Sequence, residues 1–458
     1  MANPSDNNPK NTVPTVSRVL ADKTCIELLY DPEKRQTAFA VWRNGKYTIE
    51  REVTVGNERL VPFSAENNLI KSRAVLLPST PEDYWSEDAV IADLEAYLRR
   101  YLYLTPSFET VAVHYVLLSW VYDAFNELPY LRFRGDFGTG KTRALLVIGS
   151  ICYKPFFASG ASTVSPIFHT LDAFRGTLVF DEADFRFSDE KAEIVKILNN
   201  GNIRGMPVLR TIMNRQKEFN PQAFQVFGPK IVATRQSYND KGLESRFITE
   251  EMAPRKMPGE IPLNLPESFE HEATALRNKL LLYRFHKKSS VRLDPSQIEP
   301  TLEPRLNQIL LPLFSVASDP VRRLELRAVA AQAQSNLVAE RGLNIEAHVL
   351  EVLADLMDKA DRSVIPIADI ASQVSERFDL DFERPISNRW IGSVLRKRLN
   401  IRTYKSHGVY VVPTSERSSV EMLCSRYGIY TFGELGSDID QGDVGTAGTS
   451  EQGPKVAP

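Results

Sequence analysis

The sequence predicts an α/β core built on a parallel sheet. A β-rich region precedes it, a helical region follows it, and a small helix-and-hairpin module lies near the C-terminus. Three observations carry the core. Residues 130–252 alternate strand-like and helix-like runs, the pattern of parallel strands joined by crossover helices. An apolar strand over 131–133 enters the stretch Gly135-Asp136-Phe137-Gly138-Thr139-Gly140-Lys141-Thr142, and a helical run over 143–151 leaves it. A second apolar strand, over 177–180, ends in Asp181-Glu182, and Asp181 lies 40 positions after Lys141.

The bulk properties suit a globular protein of two or three domains. The chain has 458 residues, 43% hydrophobic and 25% charged. A formal net charge of -2 gives no overall attraction to nucleic acid, so such binding must come from local basic patches. Cys25, Cys152 and Cys424 are scattered, which supports neither a disulfide framework nor a zinc site. The N-terminus has no apolar signal core, and the longest apolar run, 111–121, is too short to span a bilayer. The expectation is a cytoplasmic protein with no membrane partner.

In chain order, residues 1–16 are rich in Asn, Pro and Ser and are expected to be disordered. Residues 17–85 read as strands, with runs at 24–30, 37–50 and 73–78 and a hairpin signal at Asn44-Gly45. Two helices open the segment 86–252. The first puts Val90, Ile91, Leu94, Tyr97, Leu98 and Tyr101 on one face. The second, over 109–125, is apolar nearly all round and should be buried, with His114 as a satisfied core residue. Residues 253–343 read as helical. Residues 344–413 form a separate module, and 414–458 are expected to be a dispensable extension and tail.

The glycine-rich stretch matches G-x-x-x-x-G-K-[ST], and its strand–loop–helix setting is what confirms the motif. Glycines let backbone N–H groups turn inward around a phosphate at the positive end of a helix. Lys141 would reach the β- and γ-phosphates of ATP, and the Thr142 hydroxyl would ligate Mg²⁺. Asp181, at the C-terminal end of a sheet strand, would hold the same metal directly or through water. Glu182 would orient and deprotonate the attacking water. A further strand, 230–233, ends at Thr234, which either bonds the γ-phosphate or is a plain strand-end residue. Arg246, 65 positions past Asp181, is either a finger reaching a neighbouring subunit's γ-phosphate or an ordinary surface arginine.

The letters D-E-A-D at 181–184 sit too close to Lys141 for an RNA helicase of that name, and no second domain of that kind is found. The ordered run of motifs, including "ILNNGNIRGMPVLR", "FGPKIVATR" and "LESRFI", instead resembles the AAA+ ATPases, close to the superfamily 3 helicases carried beside or fused to primases in phages, plasmids and integrated elements. The resemblance spans about residues 86–413. It implies a P-loop NTPase fold of AAA+ type and a homohexamer that hydrolyses ATP with Mg²⁺ and moves on single-stranded or forked DNA. It departs at Thr234, where superfamily 3 enzymes usually carry Asn. Residues 1–110 hold no primase site, so priming would belong to a separate protein.

Two regions are candidates for DNA contact. Residues 202–226 hold Arg204, Arg210, Arg215 and Lys217 against one acid, Glu218, and read as a β-hairpin with Arg215 and Lys217 near its tip. The resemblance implies a hairpin projecting into the ring pore. A solvated loop, or Arg210 serving a neighbour's nucleotide, fits the residues equally. In the 344–413 module, three amphipathic helices and a hairpin turning at 406–408 read as a winged helix. Residues 384–413 carry seven Lys or Arg and no acid. Arg389, Arg396, Lys397 and Arg402 would meet phosphates, unless the module serves protein packing. Trp390 reads as core. Two whole-protein readings follow: a translocating helicase, or a DNA-binding ATPase that loads or remodels another complex without unwinding.

Overall fold

The structure is a computed structural model and describes residues 11–181, 189–213, 219–238, 240–253, 258–342, 344–359, 362–378 and 386–429. The chain divides into two compact units, up to Ala333 and from Gln334.

The first unit opens with β1 (Asn11–Thr15), β2 (Ser17–Val19), β3 (Cys25–Asp31), β4 (Gln36–Arg43), β5 (Lys46–Glu50), β6 (Val53–Val55) and β7 (Glu58–Pro62). Strands β2 to β5 form an antiparallel sheet in chain order, and the turn at Asn44-Gly45 sets Arg43 against Lys46. Strand β1 pairs in parallel with β7, and Val16 just after it is buried. The expectation of disorder therefore fails for 11–16: ladder bonds and burial hold a polar segment that has little apolar signal of its own. The run at 73–78 is also not a strand. It makes one antiparallel bridge, Val75 to Phe156, before Pro78 ends it.

After the short helix α1 (Asn68–Lys71) come α2 (Glu87–Tyr101) and α3 (Pro106–Val121). Ser86 caps α2 by accepting from the Ala89 N–H at 3.1 Å, with Glu87 and Asp88 in its first turn and Arg99 and Arg100 in its last. Its buried face is the predicted one, Val90, Ile91, Leu94, Tyr97, Leu98 and Tyr101. Helix α3 is buried all round from Thr110 to Val121, packed against α2 and two later helices. His114 lies within it, its Nδ1 2.8 Å from the Thr110 carbonyl.

The core then runs β8 (Tyr130–Arg134), α4 (Lys141–Ser150), β9 (Phe156–Ser159), α5 (Val164–Phe174), β10 (Leu178–Asp181), α6 (Asp189–Asn200), β11 (Val208–Met213), β12 (Phe219–Phe224), β13 (Lys230–Thr234), α7 (Lys241–Glu244) and β14 (Phe247–Glu251). Five of these strands form one sheet in the order β14-β8-β13-β10-β9, every pairing parallel. The loop after β8 and the end of β10 thus open at the same edge, one strand apart. Strands β11 and β12 form a separate hairpin, Val208 opposite Phe224 through Met213 opposite Phe219. Helices α8 (Ser268–Lys287), α9 (Pro304–Val316) and α10 (Pro320–Gly342) follow.

A buried ionic cluster joins the β-rich region to the core. The Glu27 carboxylate on β3 lies 2.7 Å from Lys154 and 2.7 Å from Arg284 of α8, and Arg284 also pairs with Asp123 at 2.9 Å. Burial pushes the Glu27 carboxyl up, but Lys154 and Arg284 outweigh it and hold it below the usual range. Asp123 is likewise raised by burial, yet the Arg284 guanidinium brings it down to about 2. Breaking such a group by removing one partner costs roughly 3–5 kcal/mol, because a charge is left buried and unpaired.

The second unit holds α11 (Ile345–Asp358), β15 (Val364–Pro366), α12 (Ile367–Phe378), α13 (Asn388–Ser393) continuing into a π-helical turn over Val394–Arg398, β16 (Tyr404–Ser406), β17 (Val409–Pro413) and α14 (Arg417–Tyr427). The strands pair antiparallel in the order β15-β17-β16. Ile391, Val394, Leu395 and Leu399 point into the core, with Trp390 half-buried against it. The module does not end at Pro413. Helix α14 buries Val420 and Cys424 in the same core, and Arg417 donates to the Met357 carbonyl. Residues 430–458, expected to be tail, lie outside the described residues.

Candidate functional site

Buried Tyr130, Leu131 and Phe133 fix β8 inside the sheet, and the chain leaves its C-terminal end into the glycine-rich loop. Gly140, at φ +91°, caps α4 in the left-handed region, which favours glycine. At Gly135 a Cβ would fall 2.3 Å from the Met252 carbonyl oxygen just past β14, so only glycine fits between the two strand ends. Helix α4 starts at Lys141, whose Nζ donates to the carbonyls of Gly135 at 2.8 Å and Asp136 at 2.6 Å. The lysine folds back over the loop that its helix follows.

Thr142, one residue into α4, donates its hydroxyl to Asp181 Oδ2 at 2.8 Å. Residues 39 positions apart are joined because β10 and β8 flank β13 and end within one residue of the same level along it. A hydroxyl and a carboxylate at this spacing are hard oxygen donors that fit Mg²⁺, which takes few protein ligands and completes its shell with water and phosphate. Glu182 lies outside the described residues, as do Arg215 and Lys217. A cavity of about 370 Å³ is lined by residues 137–143 together with Asp181, Ala233 and Arg235. A larger cavity, about 660 Å³, lies beside α2 and α3 among Leu102, Tyr103, Pro106 and Ile261, and contains none of these groups.

Thr234 ends β13 next to this cavity but is only 1% exposed. Its Oγ1 has no hydrogen-bond partner among the described residues, while its carbonyl accepts from the Gly135 N–H at 3.2 Å. The cavity wall comes from its neighbours Ala233 and Arg235. The Arg235 guanidinium carbon lies 3.6 Å from the centroid of the Phe137 ring. Sequence reasoning missed Arg235. Its only signal is strand alternation carried one residue past the apolar run.

Arg246 lies at the other edge of the sheet. It precedes β14, whose Phe247 pairs with Tyr130 at the start of β8, so the length of β8 (about 13 Å at a strand's rise per residue) separates it from the loop. Its guanidinium donates to Asn199 Oδ1 at 2.7 Å, to Asn202 Oδ1 at 3.0 Å and to the Gly242 carbonyl. Half-burial and the nearby Arg305 charge push its pKa down. Buried Arg132 braces the same corner through a two-pronged pair with Glu244 at 2.6 Å. The structure thus brings Lys141, Thr142 and Asp181 together and sets Arg246 apart from them.

Of the other cations in 202–226, Arg204 donates to the carbonyls of Asp123 and Phe125. Arg210 pairs with Glu193 and lies 4.2 Å from the Phe168 ring. In the second unit Arg389, Arg396, Lys397 and Arg402 are exposed. Arg396 donates to Thr403 Oγ1 at 3.0 Å and sits 5.5 Å from the Tyr410 ring, linking the end of the third helix to the hairpin. Arg398 is paired with Glu346.

No protein-family model matches the chain, and no curated protein is similar to it. Several solved structures are. A structure named SCCmec type IV Cch, active helicase, is 12% identical at a TM-score of 0.39, over 90% of this chain and 80% of that one. The apo C-terminal region of NrS-1 (305–718) is 14% identical at a TM-score of 0.37, over 85% and 96%. The Aeropyrum pernix ORC1 protein in complex with DNA is 15% identical at a TM-score of 0.22, over 77% and 98%. At these identities and TM-scores the likenesses assign no residue of the site.

Proposed function

We propose that this chain is an ATPase that works as a ring on DNA, a helicase or translocase of the kind that serves replication of phages or mobile elements. The observation that carries the reading is the Thr142–Asp181 hydrogen bond beside Lys141, at the C-terminal edge of a parallel sheet and the start of a helix. On this reading the backbone N–H groups of 135–140 and Lys141 bind the phosphates of ATP. Thr142 and Asp181 hold Mg²⁺, which when bound offsets the charge that builds on the transferred phosphate. Glu182 follows Asp181 directly in sequence and takes the proton of the attacking water.

Arg246 is too far from its own subunit's loop to serve it, and its place at the far edge of the sheet supports a role in trans, toward a neighbour in a homohexamer. The helix–strand–helix–helix–hairpin order of the second unit supports a winged helix. Arg389, Arg396, Lys397 and Arg402 would contact phosphates of single-stranded or forked DNA, with Arg215 and Lys217 as a second contact inside the ring. Priming is left to a separate protein. The test is ATP hydrolysis with and without forked DNA. Hydrolysis that depends on Lys141 and rises with DNA is expected. A rate indifferent to both would overturn the reading.

A further inference from the structure

We propose that the β16–β17 hairpin of the second unit binds an unpaired base at a DNA junction by stacking it on the Tyr410 ring. The proposal rests on the reading of this unit as a DNA-binding module and names the feature of the strand that it recognises. Register places Tyr410 of β17 opposite Lys405 of β16, so both side chains leave the same face of the hairpin. Val412, two positions further along β17, points into the unit's core from that face. The face is therefore the one turned toward the helices, and Tyr410 reaches the end of the third of them. Arg396 lies over the Tyr410 ring at 5.5 Å and donates to Thr403 Oγ1 at 3.0 Å. Tyr410 is 54% exposed, which leaves ring surface open to a second stacking partner.

Charge and ring together select the occupant. Arg396, Lys397, Arg402 and Lys405 are all exposed, and residues 384–413 contain no Asp or Glu. Such a surface repels basic partners and suits phosphates. An exposed aromatic ring among cations holds a nucleic-acid strand with a base on the ring and phosphates on the charges. The ring also decides the state of the strand. Inside a duplex each base is stacked on both faces, and only its edges are open in the grooves. A free ring face can then stack only on a base that is unpaired or that ends a duplex. The hairpin tip, Ser406-His407-Gly408, carries none of the Arg, Lys, Asn or Gln side chains that read a minor groove. Tyr404 is exposed as well, but it stands opposite Val411 and leaves the other face of the hairpin.

The experiment measures the affinity of the full chain for forked DNA and for a covalently closed circular duplex of the same sequence. The proteins are wild type, Tyr410→Ala, Tyr410→Phe, Tyr404→Ala and Arg396→Ala. Tyr410→Ala should weaken fork binding by about 5- to 150-fold, the worth of one stacked base. Its affinity for the closed duplex should hold, which also shows that the variant is folded. Tyr410→Phe, which keeps the ring face, should bind the fork as wild type does, and so should Tyr404→Ala. Arg396→Ala should weaken both DNAs and flatten the salt dependence, as loss of a phosphate contact does. Iododeoxyuridine placed at the first unpaired position of the fork should photo-crosslink to Tyr410, and the crosslink should vanish in Tyr410→Ala. If Tyr410→Ala weakens both DNAs alike, or neither, or if the crosslink forms only elsewhere, the proposal is wrong and the DNA-binding reading stands. If wild type binds no DNA, both readings fall.

Discussion

Asp181 and Thr142 meet at 2.8 Å, and their roles are separable by substitution. Asp181→Asn keeps the shape and a hydrogen-bonding oxygen but removes the charge that a divalent cation needs. It should weaken the Mg²⁺ dependence of hydrolysis by at least about 10- to 100-fold, the range seen for mere outer-shell partners of a metal. Nucleotide binding without metal should be little changed. A Mg²⁺ titration of the ATPase rate checks this, and an unshifted midpoint would contradict it. These two residues were legible in the sequence because each is fixed by a motif: one by the lysine before it, the other by the apolar strand that ends at it. Arg235 was not legible. Whether it faces the cavity depends on the pleat continuing past the last apolar residue, and no residue type marks that. Arg132 and Glu244 were equally hidden, since a buried ion pair between distant positions leaves no local pattern.

At the scale of elements, the periodic helices and the parallel sheet of the core could be anticipated, whereas two edges were missed. Strand β1 is polar and gains its order from the ladder with β7. Helix α14 lays Val420, Leu423, Cys424 and Tyr427 on the core, an i, i+3, i+4, i+7 stripe, but it is only 11 residues long and adjoins a Gly/Ser/Asp-rich stretch that masks it in the composition. Truncation should expose the difference. Ending the chain after residue 429 should leave the second unit intact. Ending it after Pro413 should remove α14 and destabilise the unit, the burial of Val420 alone being worth about 1.5–3 kcal/mol. Thermal melts of the two truncations decide it, and equal melting would refute the role of α14. The cluster at Glu27 makes a pH-dependent counterpart. Asp123 is lowered from 3.8 to about 2 on folding, so its contribution is present above pH 3.8 and is lost as pH falls from there to 2. Urea midpoints across that window should fall less steeply for Asp123→Asn than for wild type, by on the order of 2 kcal/mol in total. Parallel profiles would show that Asp123 carries no such linkage.

For the whole molecule, the proposed role of Arg246 in trans implies that one subunit alone would lack a complete site. Arg246→Ala should leave ATP binding intact and lower hydrolysis by about 10³-fold or more, the usual worth of an arginine finger. Mixing it with Lys141→Ala subunits should restore part of the activity, because each supplies what the other lacks. Failure of such a mixture to recover any rate would place Arg246 outside the chemistry. The most direct test of the central claim is a steady-state ATPase measurement on wild type and Lys141→Ala, each with and without forked DNA. The account predicts Mg²⁺-dependent hydrolysis by wild type that rises with DNA, and none above background for Lys141→Ala in either condition. Equal rates for the two proteins would contradict it.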